Sequence, residues 1–188
     1  MNYNYAKIEP IFKYYLKNGF DHSLQKLADS VKVTKKTLFN RYQSKENLEL
    51  LVVDYWQVTS CERMAQRMEF SNNAVEKLMM FLFELQYCRN NEPHFFKKNK
   101  EIFLGNFEQN SPYITQLEAI FTIGIEEKLF RFDSEPKVFA YFFQFNTLFI
   151  LLNNTVINTD YISFLFEPIL TETGKTVYQD IDIEQIFR

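Results

Sequence analysis

The chain has 188 residues, 46% of them hydrophobic and 24% charged, with a formal net charge of −3. This is the balance of a soluble globular protein and excludes a disordered chain or an indiscriminate coat for nucleic acid. Twenty-one phenylalanines and 11 tyrosines stand against 4 glycines and 5 prolines, so breakers are few and helices are favoured over sheets. Ile8, Ile11, Phe12, Tyr15 and Leu16 recur at helical spacing and predict a first helix. Gly19 can end it in a left-handed turn, after which Phe20 packs back. Ser23 is placed to cap a second helix whose inward residues are Leu24, Leu27, Ala28 and Val31. Val31-Lys32-Val33 makes the next turn, with Val33 plugging the angle between helices. Thr34 caps a third helix that buries Leu38 and part of Phe39 and Tyr42. Ser44 caps a fourth, which runs on through Leu48, Leu51, Val52 and Tyr55.

Charge divides the chain. Residues 1–55 hold nine Lys/Arg against six acids, and the remainder holds 12 bases against 18 acids. From Lys32 to Lys45 there are five bases and no acid. With Thr34 and Ser44 as caps, Lys35, Lys36 and Lys45 fall in the first turns of their helices. Positive charge there opposes the helix dipole at about 0.3–1 kcal/mol each. A phosphate anion at the same place reverses the sign, because amides and lysines then act on one charge. Two short helices joined by a tight turn, the second basic, form a helix-turn-helix that can enter the major groove of DNA.

The segment GFDHSLQKLADSVKVTKKTLFNRYQSKENL, Gly19 to Leu48, resembles the DNA-binding segment of the tetracycline-repressor (TetR) family of bacterial transcription regulators. The likeness lies in Gly-Phe after the first helix, Ser-Leu opening the second, Leu-Ala within it and Val-x-Val-Thr at the turn. Thr-Leu-aromatic, Tyr42 and Ser-Lys-Glu follow at the family spacing, so the match covers about residues 5–55. It implies Thr34, Lys35, Lys36 and Thr37 at the front of a recognition helix that also carries Phe39, Asn40 and Arg41. Lys45 takes a phosphate-binding position, and Ser23 and Tyr42 complete the candidate DNA-contacting set. The family often has glycine at Lys36 and tyrosine at Phe39. The missing phenolic hydroxyl removes one phosphate contact that Lys36 and Arg41 could replace. Asn40 has the chemistry to pair with adenine, or simply to face solvent. Beyond residue 55 the resemblance implies only a helical effector-binding and dimerisation domain, paired through its last long helices.

The expected fold is therefore all-α: a helix-turn-helix domain over residues 1–55, joined by a connecting helix to a larger helical domain over 56–188. In that domain Val75, Leu78, Met79, Leu82 and Leu85 mark a helix from Asn73 to Asn90. Pro93 restarts the chain ahead of a stripe of Phe95, Phe96, Ile102, Phe103 and Phe107. Ser111-Pro112 opens a further helix and Pro136 another. From Thr159 a last one begins, which Pro168 kinks or divides. Val138 to Leu152 is the longest greasy stretch but contains Gln144, Asn146 and Thr147. It falls short of the roughly 20 mostly apolar residues a membrane span needs, so it reads as a helix covered by protein, by a second copy of the chain most readily. The N-terminus lacks the basic and apolar segments of a signal peptide, and Cys61 and Cys88 read as buried thiols of a reducing compartment. The expected location is the cytoplasm.

Asn99 and Asn106 fall on an apolar stripe near Phe103, where they either orient a ligand or lie at the stripe's wet edge. Phe83, Tyr87, Phe103, Phe107, Phe121 and Phe142 are candidate pocket walls, or plain core. Against catalysis stand two isolated histidines, His22 and His94, and the lack of a glycine-rich phosphate loop or nucleophile motif. No metal or cofactor is expected. The leading expectation is a homodimeric DNA-binding repressor that a small hydrophobic effector releases from a two-fold operator. The alternatives are a regulator with a filled core and no effector, and a helical lipid-handling protein or enzyme.

Overall fold

The computed structural model describes residues 7–105, 111–131, 135–152 and 158–183, which hold ten helices and no strand beyond one isolated bridge. Two compact units emerge, one formed by residues 1–59 with 90–107 and the other by residues 60–89 with 108–188.

The first unit begins with α1 (Glu9–Asn18), α2 (Leu24–Ser30) and α3 (Lys35–Tyr42). To these it adds the first part of α4 (Lys45–Met68), the last turn of α5 (Ala74–Asn91) and α6 (Pro93–Gly105). α1 buries Ile11 and Tyr15, α2 buries Leu27 and Ala28, and α3 buries Leu38. α4 follows with Leu48, Val52, Val53 and Trp56. Gly19 closes α1 with φ 72°, its N–H donating to the Tyr15 carbonyl at 2.8 Å. A Cβ there would sit 2.9 Å from Nδ1 of the exposed His94 side chain, so the positive φ is the stronger reason for glycine. The sequence pattern contains no hint that α6 returns to the N-terminal helices. Its Phe95 is fully buried, with its ring 5.0 Å from Phe12, 5.1 Å from Phe20 and 5.9 Å from Trp56.

The second unit takes the rest of α4 and α5, then α7 (Pro112–Glu126), α8 (Pro136–Leu152), α9 (Thr159–Phe166) and α10 (Glu172–Gln179). Prolines open α6, α7 and α8, where the missing N–H has no partner to lose, and Ser111 Oγ caps α7 from Tyr113 N at 3.3 Å. Pro168 lies between α9 and α10 and divides that stretch into two helices. The core is aromatic. Phe143 of α8 meets Phe81 of α5, Phe121 of α7 and Phe166 of α9, with ring centroids 5.9–6.3 Å apart. The segments after α7 and α9 are stitched by the Phe130–Leu170 bridge and by Thr171 N donating to the Leu129 carbonyl at 3.0 Å. No helix among the described residues is long and apolar enough to cross a membrane.

Gly174, on the first turn of α10, lies against that stitch. A Cβ there would stand 2.1 Å from the Leu129 carbonyl oxygen, a backbone atom with no room to withdraw. Gly174→Ala is expected to lower stability by about 1–3 kcal/mol, the cost of overpacking. A urea melt with an unshifted midpoint would contradict the packing at this point.

Candidate nucleic-acid interface

The side-chain caps expected at three helix starts are all formed. Ser23 Oγ accepts from Lys26 N at 3.3 Å, Thr34 Oγ1 from Thr37 N at 3.0 Å and Ser44 Oγ from Asn47 N at 3.0 Å. Thr34 and Thr37 also join hydroxyls at 2.8 Å, which fixes both side chains at the head of α3. The turn between α2 and α3 is closed by Val33 N donating to the Ala28 carbonyl at 3.0 Å, with Lys32 left-handed at φ 56°. Gln43, beyond α3, is left-handed as well, at φ 67°.

This geometry gives α3 an outward face. Lys35, Lys36, Phe39 and Asn40 are exposed at i, i+1, i+4 and i+5, and Arg41 is exposed beside them. Phe39 is 57% exposed, far more than its partial burial at the sequence level suggested. Leu38 alone is fully buried, so the helix is anchored by one side chain and its caps. Tyr42 is half-buried, its ring 5.9 Å from the Arg41 guanidinium. Ser23 and Thr34 are exposed, and Thr37 is half-exposed. Nine of the ten candidate residues thus lie on α3 and its flanks, with Ser23 at the head of α2.

Lys45 differs from the others. Its ammonium donates to the Phe20 carbonyl at 2.9 Å and lies 3.2 Å from Glu49, whose buried carboxylate also meets Lys98 of α6 at 2.9 Å. Two cations therefore share one buried carboxylate at the start of α4, and Lys98 also lies 3.7 Å from Glu101. The Lys45–Glu49 pair is readable as an i, i+4 spacing. Lys98 is not, since it reaches Glu49 from a distant helix, α6. Glu46 sits in the first turn of α4, where its own backbone N–H and then the Ser44 hydroxyl hold its carboxyl below the usual range.

The candidate ligand residues are dispersed. Asn99 is buried in the first unit and accepts from Gln57 Nε2 at 2.5 Å. Phe83 and Tyr87, on α5, lie under arginines: the Arg67 guanidinium is 4.8 Å from the Phe83 centroid and 5.7 Å from that of Tyr87. Arg63 and Arg67 there grip the fully buried Glu84 carboxylate at 2.7 and 3.2 Å. Phe121 is in the aromatic core, whereas Phe142 is 43% exposed. Asn106, Phe107 and the side chain of Phe103 lie outside the described residues. Cys88 is buried, and Cys61 is a free thiol that burial pushes up to about 12. No cluster of three metal-ligating side chains occurs among the described residues.

Lys36 and Lys45 therefore separate experimentally. Lys36→Ala removes a charge that opposes the helix dipole and should leave stability unchanged or raise it by up to about 1 kcal/mol. Lys45→Ala removes a hydrogen bond and one partner of a buried carboxylate, and should cost about 1 kcal/mol or more. Thermal melts giving the same shift for both variants would contradict this division.

No protein-family model and no curated protein matches the chain. Solved structures do. A TetR-family regulator from Pectobacterium atrosepticum aligns over 93% of this chain and 89% of its own, with TM-score 0.63 and 15% identity. A TetR-family regulator from Agrobacterium tumefaciens aligns over 88% and 98%, with TM-score 0.61 and 14% identity. AibR in complex with isovaleryl coenzyme A and operator DNA aligns over 86% and 96%, with TM-score 0.54 and 20% identity. Over those shares of its length the chain has the fold of these structures.

Proposed function

We propose that this chain is a cytoplasmic transcriptional repressor that binds a two-fold operator as a homodimer and is released by a small hydrophobic effector. The carrying observation is the outward face of α3: capped, acid-free, and presenting Lys35, Lys36, Phe39, Asn40 and Arg41 together. Such a helix is costly for an isolated protein and suited to the major groove, where cations take phosphates and Asn40 or Phe39 meets base edges. Ser23, Thr34, Thr37 and Lys45 flank that face as backbone contacts, whereas the Tyr42 hydroxyl is buried and does not reach a phosphate. A structure of the same fold holds operator DNA and isovaleryl coenzyme A together, which supports pairing a DNA-reading unit with an effector unit.

Homodimerisation is supported by α8. Val138, Phe142 and Phe145, spaced i, i+4, i+7, are 53%, 43% and 48% exposed, and Phe164 of α9 is 59% exposed. Tyr161 of α9 bonds the Asn146 carbonyl of α8 at 2.8 Å and stacks on Phe164, so these residues border one apolar surface. A second copy would cover it by an isologous contact. Two recognition helices would then stand ~34–36 Å apart, one turn of DNA. An effector that binds better to a dimer with a different head spacing shifts the population off the operator, and a coupling of a few kcal/mol is enough.

Selection of bound sequences from random duplex DNA should return a palindrome with half-sites one helical turn apart. Arg41→Ala should weaken binding to every sequence alike and reduce the salt slope by about 1; an unaltered slope removes its phosphate role. Failure to retain any duplex at low ionic strength would overturn the regulator reading.

Phe142→Lys, made together with Phe145→Lys, should yield a monomer by light scattering at micromolar concentration while the helical circular dichroism is kept. A dimer in that variant would place the interface elsewhere.

A further inference from the structure

One carboxylate joins three parts of the first unit. Glu49, a turn into α4, is 6% exposed and holds two cations: Lys45 stands 3.2 Å from Oε1, and Lys98 of α6 stands 2.9 Å from Oε2. Lys45 also donates to the neutral Phe20 carbonyl at 2.9 Å. The Lys98 ammonium lies 5.7 Å from the Phe20 ring centroid and 3.7 Å from Glu101, which is exposed and screened by water. Burial pulls the Lys98 pKa down, but the bond to Glu49 and then the Glu49 charge outweigh it, so the pKa is raised and the group stays cationic. A packed helix delivers this lysine. Phe95, one turn earlier on α6, is fully buried against Phe12, Phe20 and Trp56.

We propose that Lys98 is a positioning residue for DNA binding: by occupying Glu49 it keeps Lys45 available to a phosphate at the head of α4. This rests on the repressor reading above and adds to it a residue outside the helix-turn-helix. A carboxylate so buried is little screened, and with Lys45 as its only partner it would form a closed one-to-one pair. Lys45 could then turn to a phosphate only by leaving a buried acid without a cation, a costly arrangement. With Lys98 on the second oxygen, the carboxylate keeps a countercharge when Lys45 turns away. The distances are graded in the same sense. Glu49 is closer to Lys98 than to Lys45, and Lys45 has its own shorter contact with an uncharged carbonyl. No other ion pair to Glu49 occurs among the described residues.

The test uses the full chain and a mixed-sequence duplex about three helical turns long, with the dissociation constant measured over a salt series. Lys98→Met should weaken binding about threefold to tenfold at low ionic strength and reduce the salt slope by about 0.9, the share of one phosphate-neutralising cation. Glu49→Gln, which removes the competing charge, should bind at least as tightly as the wild type. In the Glu49→Gln background the loss caused by Lys98→Met should disappear. Circular dichroism and a thermal melt accompany each variant. Should Lys98→Met alone fail to fold, Glu49→Gln and the double variant decide the matter between them. The proposal is overturned if Lys98→Met binds as the wild type does, or if Glu49→Gln binds more weakly than the wild type. It is overturned equally if Lys98→Met weakens both backgrounds alike, since Lys98 would then touch a phosphate itself or act only through the fold. A wild type that retains no duplex at low ionic strength removes the repressor reading and this role with it. Wild-type binding with an unresponsive Lys98→Met removes this role alone.

Discussion

Three helices of ten, seven and eight residues cannot enclose a core, because a unit so small buries too little of its own surface. The first unit therefore depends on a borrowed ring. Phe95 of α6 fills the space between α1, the loop at Phe20 and α4, touching Phe12, Phe20 and Trp56. Aromatic contacts of this kind contribute about 0.5–1.5 kcal/mol each beyond the area they bury. Trp56 reinforces the join by donating its indole N–H to Glu92 at 2.5 Å, and Phe20 stacks on Tyr15 at 4.6 Å. Through Phe20 the effect reaches the interface, since the Phe20 carbonyl holds Lys45 at the head of α4. The position of the basic surface is thus set by packing from a helix more than fifty residues away.

The larger unit answers a different constraint. A helix that is apolar all round must be covered all round, and α8 meets that demand unevenly. Phe143 and Ala140 go inward, Val138, Phe142 and Phe145 go outward, and Gln144 and Thr147 occupy the buried side that phenylalanine could have filled. One helix thereby carries both an adhesive exterior and a polar interior. Rotating it or shifting its register would disturb both at once.

Local chemistry was legible in the sequence because it is local. Ser23, Thr34, Ser44 and Ser111 announced their helix starts by type and position, and all four accept the expected backbone N–H. Prolines 93, 112 and 136 announced theirs by the N–H they lack. What stayed hidden was contact at long separation. Nothing near Lys98 points to Glu49, and nothing near Arg63 says that Glu84 would be wholly buried between two guanidiniums. Aromatic residues misled in a characteristic way. Helical periodicity finds a stripe but not what covers it, so Phe142 was grouped with Phe121 although one faces outward and the other is core. Gln144 and Thr147 were visible only as the residues that spoil a membrane span. Their burial follows from the turn of α8, which depends on Phe143 finding Phe81 and Phe121 across the unit.

α3 itself is held against its own preferences. Lys32 before it and Gln43 after it adopt left-handed backbone at φ 56° and 67°, a conformation that costs residues other than glycine roughly 1–2 kcal/mol. Lys35 and Lys36 add charge of the unfavourable sign to its first turn. Against this stand the Thr34 cap, one buried leucine and the turn hydrogen bond from Val33 to Ala28. Glycine at 32 or an acid at 35 would relieve the helix, and each would also remove a cation from the surface it presents. Strain and charge of unfavourable sign thus fall on the same short helix, and on its own the chain offsets them only with a cap, a buried leucine and a turn.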